Sequence, residues 1–139
     1  MYLIDTNVIS EMTKPTPNPA VIGWFANTSV QSIYISAVTL GEMQLGLALM
    51  PAGKRKNALM MATDTLIQED FAQRCLSLDA RCAPLYGKLA AKQQQRGHPC
   101  SAEDAMIAAI ALANQFTLVT RNTKDFEEFT GLVLLNPWN

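Results

Sequence analysis

The sequence predicts an α/β fold: a three-layer α/β/α sandwich with a mostly parallel central sheet of four to five strands. Short apolar runs alternate along the chain with longer segments of helical periodicity. Turn-forming segments such as KPTPNP, at residues 14–19, separate them. Hydrophobic residues make up 49% of the 139 residues and charged residues 17%, which is typical of one globular domain over residues 1–139.

The N-terminal half is predicted to contain two strands and four helices. Pro19 suits the first turn of a helix because its fixed φ angle is already helical. Pro51 and Gly53 break the helical pattern. In chain order the elements are a strand at Leu3–Ile4, a helix from about Val8, a helix from Pro19, a strand at Ile33–Ile35, a helix from near Thr39 to the Pro51–Gly53 break, and a helix over Lys54–Asp70.

The C-terminal half is predicted to continue the alternation with three strands and two helices. Leu85 and Leu89 repeat at helical spacing, and Gly97 is the residue type that ends helices. The elements are a strand at Arg74–Leu78, a helix from about Asp79 to Arg96, an Ala-rich helix at Ala105–Asn114, a strand at Phe116–Thr120 and a strand at Leu132–Leu135.

Composition excludes several classes of protein. The longest apolar run, Ala105–Ala113, is less than half of the roughly 20 residues that a membrane span needs, and we expect no signal peptide or membrane partner. Cys75, Cys82 and Cys100 have no paired spacing, and with the single His98 they cannot form an ordinary zinc quartet. We therefore expect buried, reduced thiols and a cytoplasmic location.

Four acidic residues stand near predicted strand ends or helix starts. Asp5 ends the first strand, Glu42 follows the second, Asp104 opens the Ala-rich helix and Asp125 follows the fourth strand. The carboxyl ends of parallel strands meet at one edge of a sheet, where ligands bind. We therefore expect these four acids to converge there.

Each acid also has a purely structural interpretation. Thr39-x-x-Glu42 has the spacing of a capping box, Ser101-x-x-Asp104 is a close variant, and Asp5 suits a helix N-cap. Convergence favours a ligand, however, because crowded carboxylates repel one another and a hard divalent cation relieves that repulsion. Mg²⁺, or alternatively Mn²⁺, suits an all-oxygen site.

Such a cation indicates chemistry on a phosphate ester. The chain has no Gly-rich phosphate loop, no Ser/His/Asp set and no plausible catalytic cysteine. Metal-assisted hydrolysis of a phosphodiester is the favoured interpretation. The alternative is a metal-dependent phosphatase or phosphotransferase of another α/β fold, although such enzymes often place a second acid where Asn7 stands.

Five segments in order carry a resemblance to a known family: LIDTNVIS, ISAVTLGEMQLG, RGHPCSAEDAMIAAIAL, LVTRNTKDFEEFTGL and the terminal NPW. The chain resembles PIN-domain ribonucleases, and within them the VapC/FitB-like toxins of bacterial type II toxin–antitoxin pairs. The resemblance covers nearly the whole chain and implies a single PIN domain over residues 1–139.

The resemblance also implies a catalytic, metal-binding set. Asp5, Glu42 and Asp104 are its core acids, and the fourth position is either Asp125 or Asn122. We expect Glu103 to miss the metal, because consecutive helical residues point about 100° apart. The residues expected to orient the ligands are Thr6, Asn7, Ser36, Thr120 and Asn122.

The activity that the resemblance implies is Mg²⁺- or Mn²⁺-dependent endonuclease cleavage of RNA by metal-activated water. A cognate VapB/FitA-like antitoxin is expected to insert a segment into the groove and block the site. The toxin then meets DNA only indirectly, through the antitoxin. The alternative within the family is a catalytically silent PIN-fold binding module.

Two surfaces are candidates for partners. RNA affinity depends on cationic contacts with phosphates, and we expect these contacts from Lys92, Arg96, Arg121 and Lys124. The segment Leu40–Met50 is apolar nearly all round, and Met60 and Met61 add to it. We expect an antitoxin-binding groove there, and a homodimer contact elsewhere on the helices.

Overall fold

The structure is a computed structural model that describes all 139 residues, in five strands and six α-helices. The strands are β1 (Tyr2–Ile4), β2 (Ile33–Ser36), β3 (Cys75–Leu76), β4 (Thr117–Val119) and β5 (Leu134–Leu135). The helices are α1 (Thr6–Met12), α2 (Pro19–Ala26), α3 (Ala37–Leu49), α4 (Lys54–Thr65), α5 (Cys82–Gln95) and α6 (Ala102–Asn114).

All five strands are parallel and lie in the order β3-β2-β1-β4-β5. Tyr2 of β1 is in register with Ile33 on one side and with Thr117 on the other. The chain passes from β1 to β2 and β3 and then returns across β1 to β4, so the strand order reverses beside β1. In open α/β sheets such a reversal opens a ligand-binding crevice at the carboxyl ends of the strands.

Helices cover both faces of the sheet. Side chains alternate between the two faces along a strand, so neighbouring residues of β1 and β4 join different cores. Leu3 and Leu118 pack in a cluster with the buried residues of α5 and α6. Ile4 and Val119 pack in a second cluster with residues of α1, such as Val8. The predicted three-layer α/β arrangement is confirmed.

Two helices begin earlier than predicted because polar residues cap them. α1 begins at Thr6, since the Asp5 side chain accepts a hydrogen bond from the Thr6 backbone N–H. α6 begins at Ala102, since the Ser101 hydroxyl accepts from the backbone N–H of Asp104. These caps place Asp5 and Asp104 at helix N-termini, where the helix dipole favours negative charge.

α5 begins later than predicted. The Asp79 carboxylate accepts a hydrogen bond from the backbone N–H of Arg81 at 3.0 Å, and this turn delays the helix to Cys82. The helix ends where predicted. Gly97 has a φ of +75°, a conformation that glycine adopts without a steric penalty.

The predicted capping box at Thr39 and Glu42 is wrong. α3 begins at Ala37, and Ser36 is its N-cap: the Ser36 hydroxyl accepts from the Thr39 backbone N–H at 3.0 Å. Both hydroxyls suit a cap locally, but β2 extends to Ser36 and the helix starts directly after it. Glu42 is thereby free to face the carboxyl end of the sheet.

Three strands are shorter than predicted, and one helix changes its pitch. The segments 74–78, 116–120 and 132–135 retain ladder pairing only over Cys75–Leu76, Thr117–Val119 and Leu134–Leu135. β3 and β5 are the edge strands of the sheet and pair on one side only. The helix predicted over Lys54–Asp70 is α-helical to Thr65 and then forms one π-helical turn.

Arg74 stabilises the segment that leads into β3. Its guanidinium donates to the backbone carbonyls of Val30, Ile33 and Asp70 and lies over the Phe71 ring, 5.0 Å from the centroid. One side chain thus joins the end of the π-helical turn to the start of β2. The planar fork of arginine makes several such contacts at once.

The structure also describes the helices' hydropathy and the three cysteines, of which only one is buried as expected. None of the helices has the length and hydropathy to cross a membrane. Cys75, Cys82 and Cys100 are all free thiols; Cys82 is buried and the other two are half-buried. Burial raises the pKa of each thiol.

Candidate active site

Asp5 lies where β1 ends, at the point where the strand order reverses. Its Oδ1 accepts from the Thr6 backbone N–H at 2.8 Å, and its Oδ2 accepts from the Thr120 hydroxyl at 2.9 Å and from Asn7 Nδ2 at 3.3 Å. The residue is only 6% exposed. Burial raises the pKa of Asp5, the three hydrogen bonds oppose this rise, and the charge of Asp125 adds to it.

Thr120 and Asn7 tie the ends of β1 and β4 together. Asn7 Nδ2 also approaches the Thr120 hydroxyl at 3.3 Å, and Asn7 Oδ1 accepts from the Arg121 backbone N–H at 3.2 Å. The Thr120 hydroxyl accepts from the Asn122 backbone N–H at 3.1 Å. This network fixes the orientation of the Asp5 carboxylate.

Glu42 projects from α3 toward the same edge. Its Oε1 accepts from the Thr6 hydroxyl at 2.9 Å, so Thr6 contacts both acids, one through its backbone and the other through its side chain. Desolvation raises the pKa of Glu42, the Thr6 bond lowers it, and the charges of Asp5 and Glu103 raise it further. Glu42 and Asp5 therefore share one electrostatic environment.

Asp104 is half-buried in the first turn of α6. Its backbone N–H donates to the Ser101 hydroxyl at 3.1 Å. Burial raises the pKa of Asp104 to about 6, and the negative charges of Asp5, Asp125 and Glu42 contribute to the rise. The charges of three acids that are distant in sequence thus help to raise the pKa of Asp104.

The four candidate acids follow strand ends or lie in helices that open at the carboxyl end of the sheet, and their charges shift one another's pKa. Asp125 lies in a 3-10 turn after β4, and its charge raises the pKa of both Asp5 and Asp104. Asn122 precedes that turn and contacts Thr120 through its backbone, not through its side chain. Of the two alternatives for the fourth position, Asp125 is the one that lines a cavity together with Asp104.

Ser36 and Glu103 lie apart from the hydrogen-bonded network around Asp5. Ser36 is fully buried, and its hydroxyl is used in capping α3: it also donates to the Thr39 hydroxyl at 3.2 Å. It therefore supports the helix that carries Glu42 and makes no hydrogen bond to an acid. Glu103 is exposed, yet its charge raises the pKa of Glu42, so it lies near the rim of the cluster.

The donor set is chemically suited to a hard divalent cation. It consists of four carboxylates with no histidine or thiolate among them, while the Asn7 and Thr120 oxygens already accept hydrogen bonds from the backbone N–H groups of Arg121 and Asn122. Desolvation, and to a smaller extent repulsion between the acids, raises the pKa of Asp5, Glu42 and Asp104, and a cation would relieve that repulsion. No three acidic, histidine or cysteine side chains are already arranged as a metal-binding group.

A polar cavity of about 310 Å³ opens beside Asp104 and Asp125. Its wall includes Lys124 from the turn after β4 and two residues that the sequence analysis missed, Gln93 and Glu128. Gln93 is 5% exposed and donates from Nε2 to Glu128 Oε2 at 3.0 Å. Gln93 is the first of three consecutive glutamines, and the sequence does not show which of them is buried. Its hydrogen-bond partner Glu128 is 35 residues away, so no local pattern links the two.

The predicted RNA-binding cations have different surroundings. Lys124 lines the polar cavity. Arg121 lies over the Trp138 ring at 5.1 Å, and Lys92 donates to the Thr130 hydroxyl at 3.1 Å. Arg96 is the exposed C-cap of α5. Among these four, Lys124 is the cation that shares a cavity with candidate acids.

A second, more apolar cavity of about 360 Å³ lies between α1, α3 and α4. Thr6 and Glu42 form part of its wall, so it adjoins the acidic cluster. Its apolar residues are Met43, Leu47, Met50 and Leu59. Large apolar side chains exposed on the same two helices, α3 and α4, are Leu45, Leu49, Met60 and Met61.

A family match accounts for this arrangement. The model of the PIN domain matches residues 2–132, which is most of the chain and includes all four candidate acids. The chain belongs to the PIN-domain family. The expected resemblance is therefore confirmed, and the parallel sheet with an acidic crevice is a PIN-domain structure.

Named relatives match this PIN domain over their whole length. Plasmid stability protein StbB of Pseudomonas syringae pv. tomato is 44% identical over 138 residues, covering 99% of both chains. VapC ribonuclease Y4jK of Sinorhizobium fredii is 38% identical, covering 99% of this chain and 98% of the relative. Toxin FitB of Neisseria gonorrhoeae is 37% identical, covering 100% and 99%.

A solved toxin–antitoxin complex has the same fold. The PIN domain superimposes on a chain of FitAB bound to the IR36 DNA fragment with a TM-score of 0.90 at 37% identity, covering 100% of this chain and 96% of that one. The likeness therefore extends from the sheet to the peripheral helices and turns.

Proposed function

We propose that this PIN domain is the toxin of a type II toxin–antitoxin pair and acts as a divalent-metal-dependent endoribonuclease. The observation that carries the proposal is the electrostatic coupling of four sequence-distant carboxylates at the point where the strand order reverses. Relatives over the full length that are named as a VapC ribonuclease and as toxin FitB support this activity. The proposed domain spans residues 1–139.

Asp5, Glu42, Asp104 and Asp125 would hold the cation, with Mg²⁺ the preferred ion and Mn²⁺ an alternative. A bound cation of this kind supplies Lewis acidity: it offsets charge on a phosphate oxygen and lowers the pKa of water. Asn122 is the weaker candidate for the fourth position, because Asp125 lines the polar cavity together with Asp104 and Asn122 does not.

The chain's own residues perform three tasks in the proposed reaction. Thr6, Asn7 and Thr120 fix the Asp5 carboxylate, so that little reorganisation is needed when substrate binds. Asp104 must lose its proton before it can act as a ligand. A carboxylate oxygen of these acids that is not bound to the cation would accept the proton of the attacking water.

Cationic residues around the crevice receive the RNA backbone in this proposal. Lys124 lies in the wall of the polar cavity that Asp104 and Asp125 also line. Arg96 is free on the surface, whereas Arg121 and Lys92 already contact Trp138 and Thr130. We therefore assign the larger part of phosphate binding to Lys124 and Arg96.

A VapB/FitA-like antitoxin is the proposed protein partner. The apolar cavity between α1, α3 and α4 reaches Glu42, so an apolar segment seated there would approach the acids. The related FitAB complex is bound to a DNA fragment, and we propose that this chain meets DNA only through its antitoxin. A homodimer contact elsewhere on the helices completes the proposed assembly. We propose a cytoplasmic location, because the substrate is RNA and the three cysteines of the protein are free thiols.

The test compares wild type with Asp5→Asn and Asp104→Asn in growth assays and in cleavage of purified RNA, with Mg²⁺ and with EDTA. We expect both variants, and EDTA, to abolish cleavage and toxicity. Asp64→Asn, an exposed acid outside the cluster, is the matched control and should keep both activities.

Three results would contradict the proposal in different ways. Full RNA cleavage by either cluster variant would remove the metal-site assignment. Hydrolysis of a phosphomonoester such as p-nitrophenyl phosphate without RNA cleavage would favour a phosphatase. The absence of any hydrolysis by a folded wild type that binds Mg²⁺ would favour a silent binding module.

A further inference from the structure

The Gln93 side chain carries an unexplained buried acceptor. Gln93 is 5% exposed, near the end of α5, and its Oε1 has no hydrogen-bond partner. It is the one buried side-chain nitrogen or oxygen atom in the chain without a partner. Because buried polar groups are nearly always paired, an orphaned acceptor in a cavity wall indicates a missing donor.

Reversing the amide does not remove the problem. Gln93 Nε2 donates to Glu128 Oε2 at 3.0 Å, so a reversed amide would set its oxygen against the Glu128 carboxylate. Glu128 therefore holds the amide in one orientation. The atom of the Gln93 amide that remains available is Oε1, which can accept a hydrogen bond.

The location of Gln93 indicates the kind of ligand. Gln93 and Glu128 line the same polar cavity of about 310 Å³ as Asp104 and Asp125. Gln93 is one of the residues that line the cavity, and its Oε1 is the amide atom that the bond to Glu128 leaves unpaired. A ligand in this cavity lies directly beside two of the acids.

We propose that this cavity is a nucleotide subsite, in which Gln93 Oε1 accepts a hydrogen bond from the RNA nucleotide next to the cleaved phosphate. The inference rests on the proposed ribonuclease function. Lys124 in the same wall supplies a cation for an adjoining phosphate. The donor is either an amino or imino N–H of the base or the ribose 2′-hydroxyl.

Glu128 gives the proposal a specific consequence. A Glu128→Gln side chain can face Gln93 with either its oxygen or its nitrogen. Gln93 can then reverse and present its NH₂ to the cavity. Nucleotides that offer an acceptor at this position should then be cleaved as well as those that offer a donor.

The experiment measures cleavage of a randomised RNA oligonucleotide pool, in Mg²⁺, by purified full-length variants. We compare wild type, Gln93→Leu and Glu128→Gln, with Gln94→Leu as the matched control on the exposed side of the same helix. Defined oligonucleotides then carry either a single 2′-deoxy substitution or a base that lacks its exocyclic amine. The first substitution tests the hydroxyl as donor, and the second tests the base.

We expect Gln93→Leu to reduce discrimination at one nucleotide position by about tenfold, while Gln94→Leu leaves it unchanged. Glu128→Gln should relax the preference at that same position. Because Glu128 is exposed, this variant carries the test if Gln93→Leu fails to fold.

The inference is overturned if Gln93→Leu slows cleavage of all base sequences and of the 2′-deoxy-substituted oligonucleotide by the same factor, since that pattern indicates a structural role. It is also overturned if neither variant changes discrimination against altered bases or 2′-deoxy nucleotides. A wild type that cleaves none of the pool contradicts the proposed function instead, so the two failures are distinguishable.

Discussion

Replacing Asp104 by asparagine is expected to stabilise the metal-free protein above about pH 6. The pKa of Asp104 rises from 3.8 to about 6 in the folded chain. Between these values the folded chain binds the proton more tightly than the unfolded chain, so stability falls as the pH rises through this interval. Above about pH 6 the carboxylate is charged in both states, and the folded state carries the whole penalty.

The size of the effect follows from three contributions. Each pKa unit corresponds to about 1.4 kcal/mol, so the rise would amount to about 3 kcal/mol in a site closed to water. Screening at this half-buried carboxylate reduces the figure to roughly 1.5 kcal/mol. Asparagine also forfeits about 0.5 kcal/mol of interaction with the N-terminus of α6. The net gain expected for Asp104→Asn is about 1 kcal/mol.

The assay is urea unfolding of wild type and variant in EDTA across a series of pH values from about 4 to about 8. Glu103→Gln is the matched control, because this neighbouring acid occupies the same helical turn and is exposed. It should be neutral or slightly destabilising. The reasoning is refuted if Asp104→Asn is no more stable than wild type near pH 8, or if the difference does not shrink toward pH 4.

Three further predictions concern the support of the site and the fold. Thr120→Val removes the hydroxyl that donates to Asp5 and should lower the unfolding free energy by about 1–3 kcal/mol and RNA cleavage at least about tenfold, whereas Thr120→Ser should retain most of both. Arg74→Lys should lower the unfolding free energy by about 1–2 kcal/mol in thermal melts, because lysine cannot contact three carbonyls and the Phe71 ring together. A matching loss of RNA cleavage per folded molecule would contradict a purely structural role for Arg74. Mg²⁺ affinity measured by calorimetry should weaken below about pH 6, where Asp104 is protonated, and a constant affinity between about pH 5 and 8 would argue against Asp104 as a ligand.

Local chemistry was sufficient to predict the elements that carry the acids. Alternating apolar runs indicated the parallel α/β sandwich, and this class places strand ends at one edge. Asp5 and Ser101 have the residue types and positions of helix caps, and both are caps in the structure. Such features depend on neighbours within one helical turn, so they can be predicted from the sequence.

The failures came where two local solutions were equally good. Ser36 and Thr39 both suit the N-cap of α3, and the extension of β2 to Ser36 selected the first. The start of α5 moved because Asp79 forms a turn with Arg81, a geometry that competes with the helix.

The contacts that make the site depend on tertiary structure alone. The Thr120–Asp5 bond joins residues 115 positions apart, and the Thr6–Glu42 bond joins residues 36 apart. Both exist because β4 and β2 flank β1, and this strand order is not encoded in any local pattern. The raised pKa of Asp104 and the unpaired Gln93 acceptor have the same origin, since burial and the approach of distant charges arise only when the chain has folded.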